Sequence, residues 1–229
     1  MEIIYGYRSV FEALKNINRK KFKLFITKNT WEELRHQPLI TKYMYINFKS
    51  SEEMSHICGN KNHNGIALEI ENLYFYKTLP QLKNRILLLS HVTDTGNLGA
   101  IMRSAGIFSY DIILSKHSSA PINGTVGKNA AGGLEHVGIH ICSSLLQVVR
   151  QLKKENYFLV GAIEKNTNYP PVNFNKLPDK IILVMGGEDK GIPQSIKEEL
   201  DFIYTIDGQE GFNVFNVSVA AAISMFVLK

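Results

Sequence analysis

The sequence predicts an α/β protein in two parts: a small N-terminal α/β unit and a larger C-terminal unit built on a parallel sheet. Three observations predict it. Strand-like and helix-like segments alternate through the first 70 residues. The alternation breaks at residues 71–84 (ENLYFYKTLPQLKN), which include a proline. From residue 85 the strands become short, nearly all-apolar runs, as strands buried on both faces do. The expected division is 1–72 for the first unit, 73–84 for a linker and 85–229 for the second.

Residues 3–15 read as a short strand or turn entering an amphipathic helix, with Val10, Phe11 and Leu14 as its apolar stripe. KFKLFIT at 21–27 alternates basic and apolar side chains, the pattern of a half-exposed strand. Residues 30–40 are helix-like, and YMYINF at 43–48 is a second strand. SSEEMSHIC at 50–58 opens with serine and carries acids in its first turn, which marks a helix start. GIALEI at 65–70 is a third strand. Beyond the break, RILLLSHV, DIILSK, YFLVGAI, KIILVMGG and FIYTID are the buried strands, separated by helical stretches. NVSVAAAISMFVL closes the chain as a packed helix rich in small residues.

A chain of 229 residues with 45% hydrophobic side chains can bury a proper core. No apolar run approaches the roughly 20 residues of a membrane span. The N-terminal segment lacks the basic start and long apolar block of a signal peptide, so a cytoplasmic location is expected. Cys58 and Cys142 have no metal-binding spacing and read as reduced, packed thiols; no metal is expected. The net charge is +5, and residues 1–70 carry +4 of it, from 11 Lys/Arg against 7 Asp/Glu. That excess is compatible with a nucleic-acid partner, and many ordinary enzymes share it.

Three segments rich in glycine and asparagine each follow a buried strand: 90–106, 183–193 and 206–223. Ligands of open α/β sheets bind beyond the carboxyl ends of the strands, so three such loops at one edge can form one pocket. In the first, Asn97-Leu98-Gly99 precedes Arg103, expected near the first turn of a helix and within reach of a phosphate or ribose. Gly96 and Gly99 would let the backbone turn tightly or approach a ligand. In the second, Gly186-Gly187 ends a strand and Glu188 follows. In the third, Asn216 or Ser218 opens the last helix, with a plain N-cap as the simpler role. Neither G-x-x-x-x-G-K-[ST] nor G-x-G-x-x-G occurs, which removes support for nucleoside triphosphates and for a dinucleotide oxidoreductase.

Together these segments resemble the three signature motifs of the SpoU/TrmH family of the SPOUT RNA methyltransferases. They are D-x-x-N-L-G-A-I-x-R-S-A at 94–105, L-V-M-G-G-E-x-K-G-I at 183–192 and N-V-S-V-A-A-A-I at 216–223. SAPINGTVGKNAAGGLEHV at 119–137, IYGYRSV at 4–10 and His63-Asn64-Gly65-Ile66 also resemble family segments, so the likeness runs through nearly the whole chain. Within the family, the chain looks like the bacterial 23S rRNA guanosine 2′-O-methyltransferases.

The resemblance implies a small N-terminal RNA-binding domain, and a C-terminal SPOUT domain whose end is threaded into a trefoil knot. It further implies S-adenosylmethionine as cofactor, RNA as partner and a homodimer. Carried over by position, Met185, Gly186, Gly187, Ile206, Phe215 and Asn216 would surround the cofactor. Arg103, Asn97, Glu188 and Asn216 would form the catalytic set, and Arg103, Lys128 and Arg8 would face RNA. The chain departs from the family in two of these motifs. Asp94-Thr95-Gly96-Asn97 stands where the family has D-P-x-N, Asp207 replaces a proline, Glu210 a glycine and Val214 an active-site serine. Those departures motivate one alternative, an RNA-binding protein with impaired catalysis. Transfer-RNA methylation is the other, disfavoured by the N-terminal extension.

Overall fold

The computed structural model describes residues 1–43, 45–59, 62–72, 82–163, 170–187, 190–206 and 215–229. The expected linker at 73–84 lies largely outside them, as do Glu188, Asp207, Glu210 and Val214.

The N-terminal part is a four-stranded mixed sheet with helices on both faces. In chain order it comprises β1 (Glu2–Tyr5), α1 (Tyr7–Lys15), β2 (Lys21–Ile26), α2 (Lys28–Leu34), α3 (Pro38–Thr41), β3 (Ile46–Phe48), α4 (Ser51–Cys58) and β4 (Ile66–Ile70). The spatial order is β1-β4-β2-β3. Val10, Phe11, Ala13 and Leu14 of α1 face Leu24, Ile26 and Leu68 on one side, while Met54 of α4 packs with Tyr5 and Ala67 on the other. The single helix expected over 30–40 is split. Pro38 opens α3, because proline has no N–H to continue the ladder of α2. Ser50 and Glu53 form the reciprocal capping box that the acidic first turn of α4 foreshadowed. Buried His63 accepts from Gly65 N at 2.9 Å and meets Ser55 Oγ at 3.2 Å, so this family-like stretch is a turn that ties β4 to α4.

The C-terminal part is a six-stranded sheet with every pairing parallel, as the apolar runs predicted. It runs β5 (Arg85–Ser90), α5 (Thr95–Phe108), β6 (Asp111–Ser115), α6 (Gly124–Ala130), β7 (Ile139–Cys142), α7 (Leu145–Lys154), β8 (Phe158–Ala162), β9 (Ile181–Gly186), α8 (Gln194–Lys197), β10 (Phe202–Tyr204) and α9 (Val217–Val227). β7 was not among the expected strands. Its sequence IHIC interrupts the apolar run with His140, which is nonetheless buried. One face packs on α5, α6 and α9 and the other on α7 and α8, so the sheet lies between two apolar layers.

The order β10-β8-β9-β5-β6-β7 sets β5 beside β9, with Ser90 opposite Gly186 at their carboxyl ends. The chain leaves β5 toward β6 and β7 on one side, whereas β8, β9 and β10 fill the other. The reversal of strand order therefore falls at the β5–β9 pair, the position where open parallel sheets bind ligands. The path from β10 into α9, on which the expected knot depends, passes through 207–214, outside the described residues.

The two parts lock together along α6 and the 3-10 turn at Gly133–Glu135. Tyr5 and Thr125 share a hydroxyl hydrogen bond at 2.9 Å, and Ser9 Oγ donates to the Gly127 carbonyl at 2.7 Å. Asn16 Nδ2 donates to Glu135 Oε2 at 2.8 Å. The other Glu135 oxygen lies 3.3 Å from the Arg19 guanidinium, with both side chains almost wholly buried.

Candidate active site

The three predicted loops come together at the reversal point. Asp94 caps α5 by accepting from Asn97 N at 2.7 Å. Asn216 caps α9 by accepting from Ser218 N at 3.0 Å, so the simpler N-cap role applies to Asn216. The Asn216 side-chain amide also donates to Asn97 Oδ1 at 3.0 Å, joining the first segment to the third.

The second segment enters from β9. Gly187 N donates to the Ser90 carbonyl at 2.7 Å, and Gly191 N returns to the Gly187 carbonyl at 2.9 Å. A Cβ on Gly187 would collide with the His91 carbonyl, so the β9 loop can lie this close to the β5 loop only with glycine there. Met185 is 4% exposed and its side chain belongs to the core, so it can offer the site only backbone. Ile206 is half-buried just past β10. Phe215 leaves its ring 38% exposed beside Asn216. Backbone groups, apolar side chains and two amides thus face one sheet edge.

Two expectations about the first segment need correction. α5 begins at Thr95, so Arg103 is its ninth residue and stands about 12 Å along the axis from the helix start. The favourable field of a helix N-terminus fades within the first turn, and Arg103 does not share it. Gly99 lies within α5, where an added Cβ would be 2.9 Å from the Val126 carbonyl and would strike the Asn129 side chain. Its smallness serves the packing of α5 on α6, not a tight turn or a ligand.

Arg103 is exposed and lines a groove of about 580 Å³ between α1 and α5, together with Tyr7, Arg8 and His136. Of the residues expected to touch cofactor, none lines that groove. Arg8 therefore joins Arg103, but Lys128 does not: its ammonium reaches across the junction to the Asn62 carbonyl. Sequence reasoning missed Tyr7 and His136 as groove residues. The pairing of α1 with α5 arises only on folding. Both cysteines are free, and burial pushes each thiol up to about 11, the behaviour of packed, unreactive thiols.

A parallel α/β unit that gathers three polar loops at its reversal point, with a small α/β unit locked to its flank, is the arrangement that the family resemblance implied. Comparison with known proteins agrees. The SpoU rRNA Methylase family model matches residues 84–226, and a model described as RNA 2′-O ribose methyltransferase substrate binding matches residues 3–76. The chain belongs to the SpoU rRNA methylase family. The 23S rRNA (guanosine-2′-O-)-methyltransferase RlmB of Salmonella typhimurium is 30% identical over 239 residues, covering 98% of this chain and 96% of that protein. The enzyme of the same name from Blochmanniella floridana is 30% identical over 240 residues, covering 98% and 93%. Among solved structures, the SpoU methyltransferase AviRb of Streptomyces viridochromogenes, in complex with AdoMet, aligns with a TM-score of 0.80 at 16% identity, covering 99% of this chain and 88% of that one.

Proposed function

We propose that the protein transfers a methyl group from S-adenosylmethionine to a ribose 2′-hydroxyl of RNA, with a guanosine of 23S ribosomal RNA as target. The observation that carries the reading is the Asn97–Asn216 hydrogen bond beside the Ser90–Gly186 strand pair, which unites all three family segments at one sheet edge. In this reading residues 1–72 bind substrate RNA, 73–84 link, and 85–229 carry the methyltransferase chemistry.

The residues present suit the cofactor. Backbone at Met185, Gly186, Gly187, Ile206 and Phe215, with the half-open Phe215 ring and the Asn216 amide, offers hydrogen bonds and an apolar wall for an adenine and a methylthio group. Glu188, from the same family segment, belongs in this reading to the catalytic set with Arg103, Asn97 and Asn216. When bound, S-adenosylmethionine supplies a methyl already activated on a sulfonium. The protein then has to align the ribose oxygen and accommodate loss of the hydroxyl proton. Alignment contributes at most about 7–11 kcal/mol. A guanidinium stays protonated at neutral pH and is a poor base, so Arg103 acts as a fixed positive charge beside the developing alkoxide.

The reading places the protein in the cytoplasm as a homodimer. No described helix is long and apolar enough to cross a membrane. Val219 and Phe226 of α9 are exposed apolar side chains, and Phe226 meets Phe108 of α5, a surface suited to a symmetric partner.

The test is incubation with labelled S-adenosylmethionine and unmodified ribosomal RNA, beside transfer RNA, followed by digestion to nucleosides. A 2′-O-methylguanosine from ribosomal RNA is the expected product. Label on a base, or on transfer RNA alone, overturns the assignment. No label on either RNA, with cofactor still bound, favours an RNA binder with impaired catalysis or a substrate that exists only in a ribosomal precursor.

A further inference from the structure

The groove holding Arg103 has features of a nucleotide site. Tyr7 stacks on Phe11 with ring centroids 4.4 Å apart and planes 18° from parallel. Phe11 is packed into the N-terminal core, whereas Tyr7 remains 41% exposed. One face of the Tyr7 ring is thus fixed against the protein and the ring is held flat, so little side-chain freedom is lost when a base stacks on it.

The charges in the groove are arranged for an anion. Among the described residues its one carboxylate is Glu12, which lies 2.6 Å from Lys15 and 3.1 Å from His136. The Lys15 hydrogen bond, ahead of that from His136, holds this carboxyl below the usual range, so it stays ionised and already engaged. Among the described residues no carboxylate pairs with Arg8 or Arg103. Two guanidiniums beside an aromatic ring, in a groove within the range of about 300–1,000 Å³ typical of small-ligand sites, match a phosphate and a base.

We propose that this groove holds an RNA nucleotide flanking the methylated one, its base stacked on Tyr7 and its phosphate held by Arg8. The proposal rests on RNA being the substrate, as argued above. It makes the substrate-binding unit part of the reaction site: Tyr7 and Arg8 open α1, Arg103 comes from α5, and the Arg19–Glu135 contact holds the two parts in register.

The test uses the full-length protein and an in vitro transcript of 23S ribosomal RNA, with RNA affinity measured by filter binding over a range of salt. Tyr7→Ala is expected to weaken binding roughly tenfold, and Tyr7→Phe to restore most of it, because stacking needs the ring and not the hydroxyl. Arg8→Ala is expected to weaken binding and to lower the slope of log K against log salt by about one. Arg8 is exposed, so this variant tests the groove even if Tyr7→Ala fails to fold. Methyl transfer is followed on the same RNA, where a raised KM for RNA with unchanged cofactor affinity supports the proposal. Unchanged RNA affinity and KM in both alanine variants overturns it. Unchanged RNA affinity with a shift from dimer to monomer in sedimentation also overturns it, and makes the groove a contact between copies. If the wild-type protein transfers no methyl group but loses RNA affinity in these variants, the groove stands and the proposed reaction falls.

Discussion

The side-chain amide of Asn216 donates to Oδ1 of Asn97 across 3.0 Å, tying the start of α9 to the first turn of α5. Asn216 meanwhile accepts from Ser218 N, so one side chain caps its own helix and clamps another. The two jobs separate by mutation. Asn97→Ala removes only the clamp, a hydrogen bond worth about 0.5–1.5 kcal/mol. Asn216→Ala removes clamp and cap together, adding about 1 kcal/mol. Thermal melts should show the larger fall for Asn216→Ala, by roughly 2–4 °C. Both variants should bind S-adenosylmethionine more weakly in calorimetry. Undiminished cofactor affinity in both would remove the clamp from the site.

Arg103 tests the charge role. Arg103→Ala should lower kcat about 10²–10³-fold, the usual loss when a preorganised charge stabiliser is removed. Arg103→Lys keeps the positive charge without the planar fork and should retain measurable activity. Equal losses in single-turnover methyl transfer would argue against a simple charge role.

The ion pair between Arg19 and Glu135 joins the two parts with both side chains nearly inaccessible to solvent. Removing one partner strands a buried charge. Arg19→Met should therefore cost about 3–5 kcal/mol in urea unfolding. The double variant Arg19→Met with Glu135→Leu should recover most of that loss. It should still raise the KM for RNA although stability is recovered, if the pair's value lies in aligning the two halves of the groove. A double variant no more stable than the single one would show that the pair is net stabilising in place.

His140 gives the fold a pH dependence. It is buried on β7, and loss of hydration holds its imidazole below the ordinary 6.5, so the folded protein resists its protonation. Above pH 6.5 it is neutral in both states and its contribution is fully present. As pH falls from 6.5 toward the lower folded value, the unfolded chain takes up a proton that the folded one resists, and stability is lost. His140→Gln should flatten the fall of Tm over that acid window. An identical slope in the variant would assign the acid sensitivity to other groups.

Much of this protein can be read in one dimension. Strands such as Leu87–Leu89 and Ile181–Val184 are covered on both faces, so burial alone makes them continuous apolar runs. Ser50 and Glu53 announce a helix start because a capping box is local chemistry. The three loop segments are short and contiguous, so their family resemblance survives at about 30% identity. Tertiary structure alone decided the rest, because each remaining feature joins residues far apart in the chain. His140 hides β7 from an apolar pattern, yet the sheet buries it. Gly99 looks like a loop glycine until α6 is laid against α5. Lys128 looks available for a phosphate until Asn62 arrives from the other part. Tyr7 and Arg103 are ordinary residues of two separate helices, and only packing of α1 beside α5 makes them walls of one groove. Local propensity and burial pattern act over a few residues and leave their record in sequence; side chains that meet across a fold leave none.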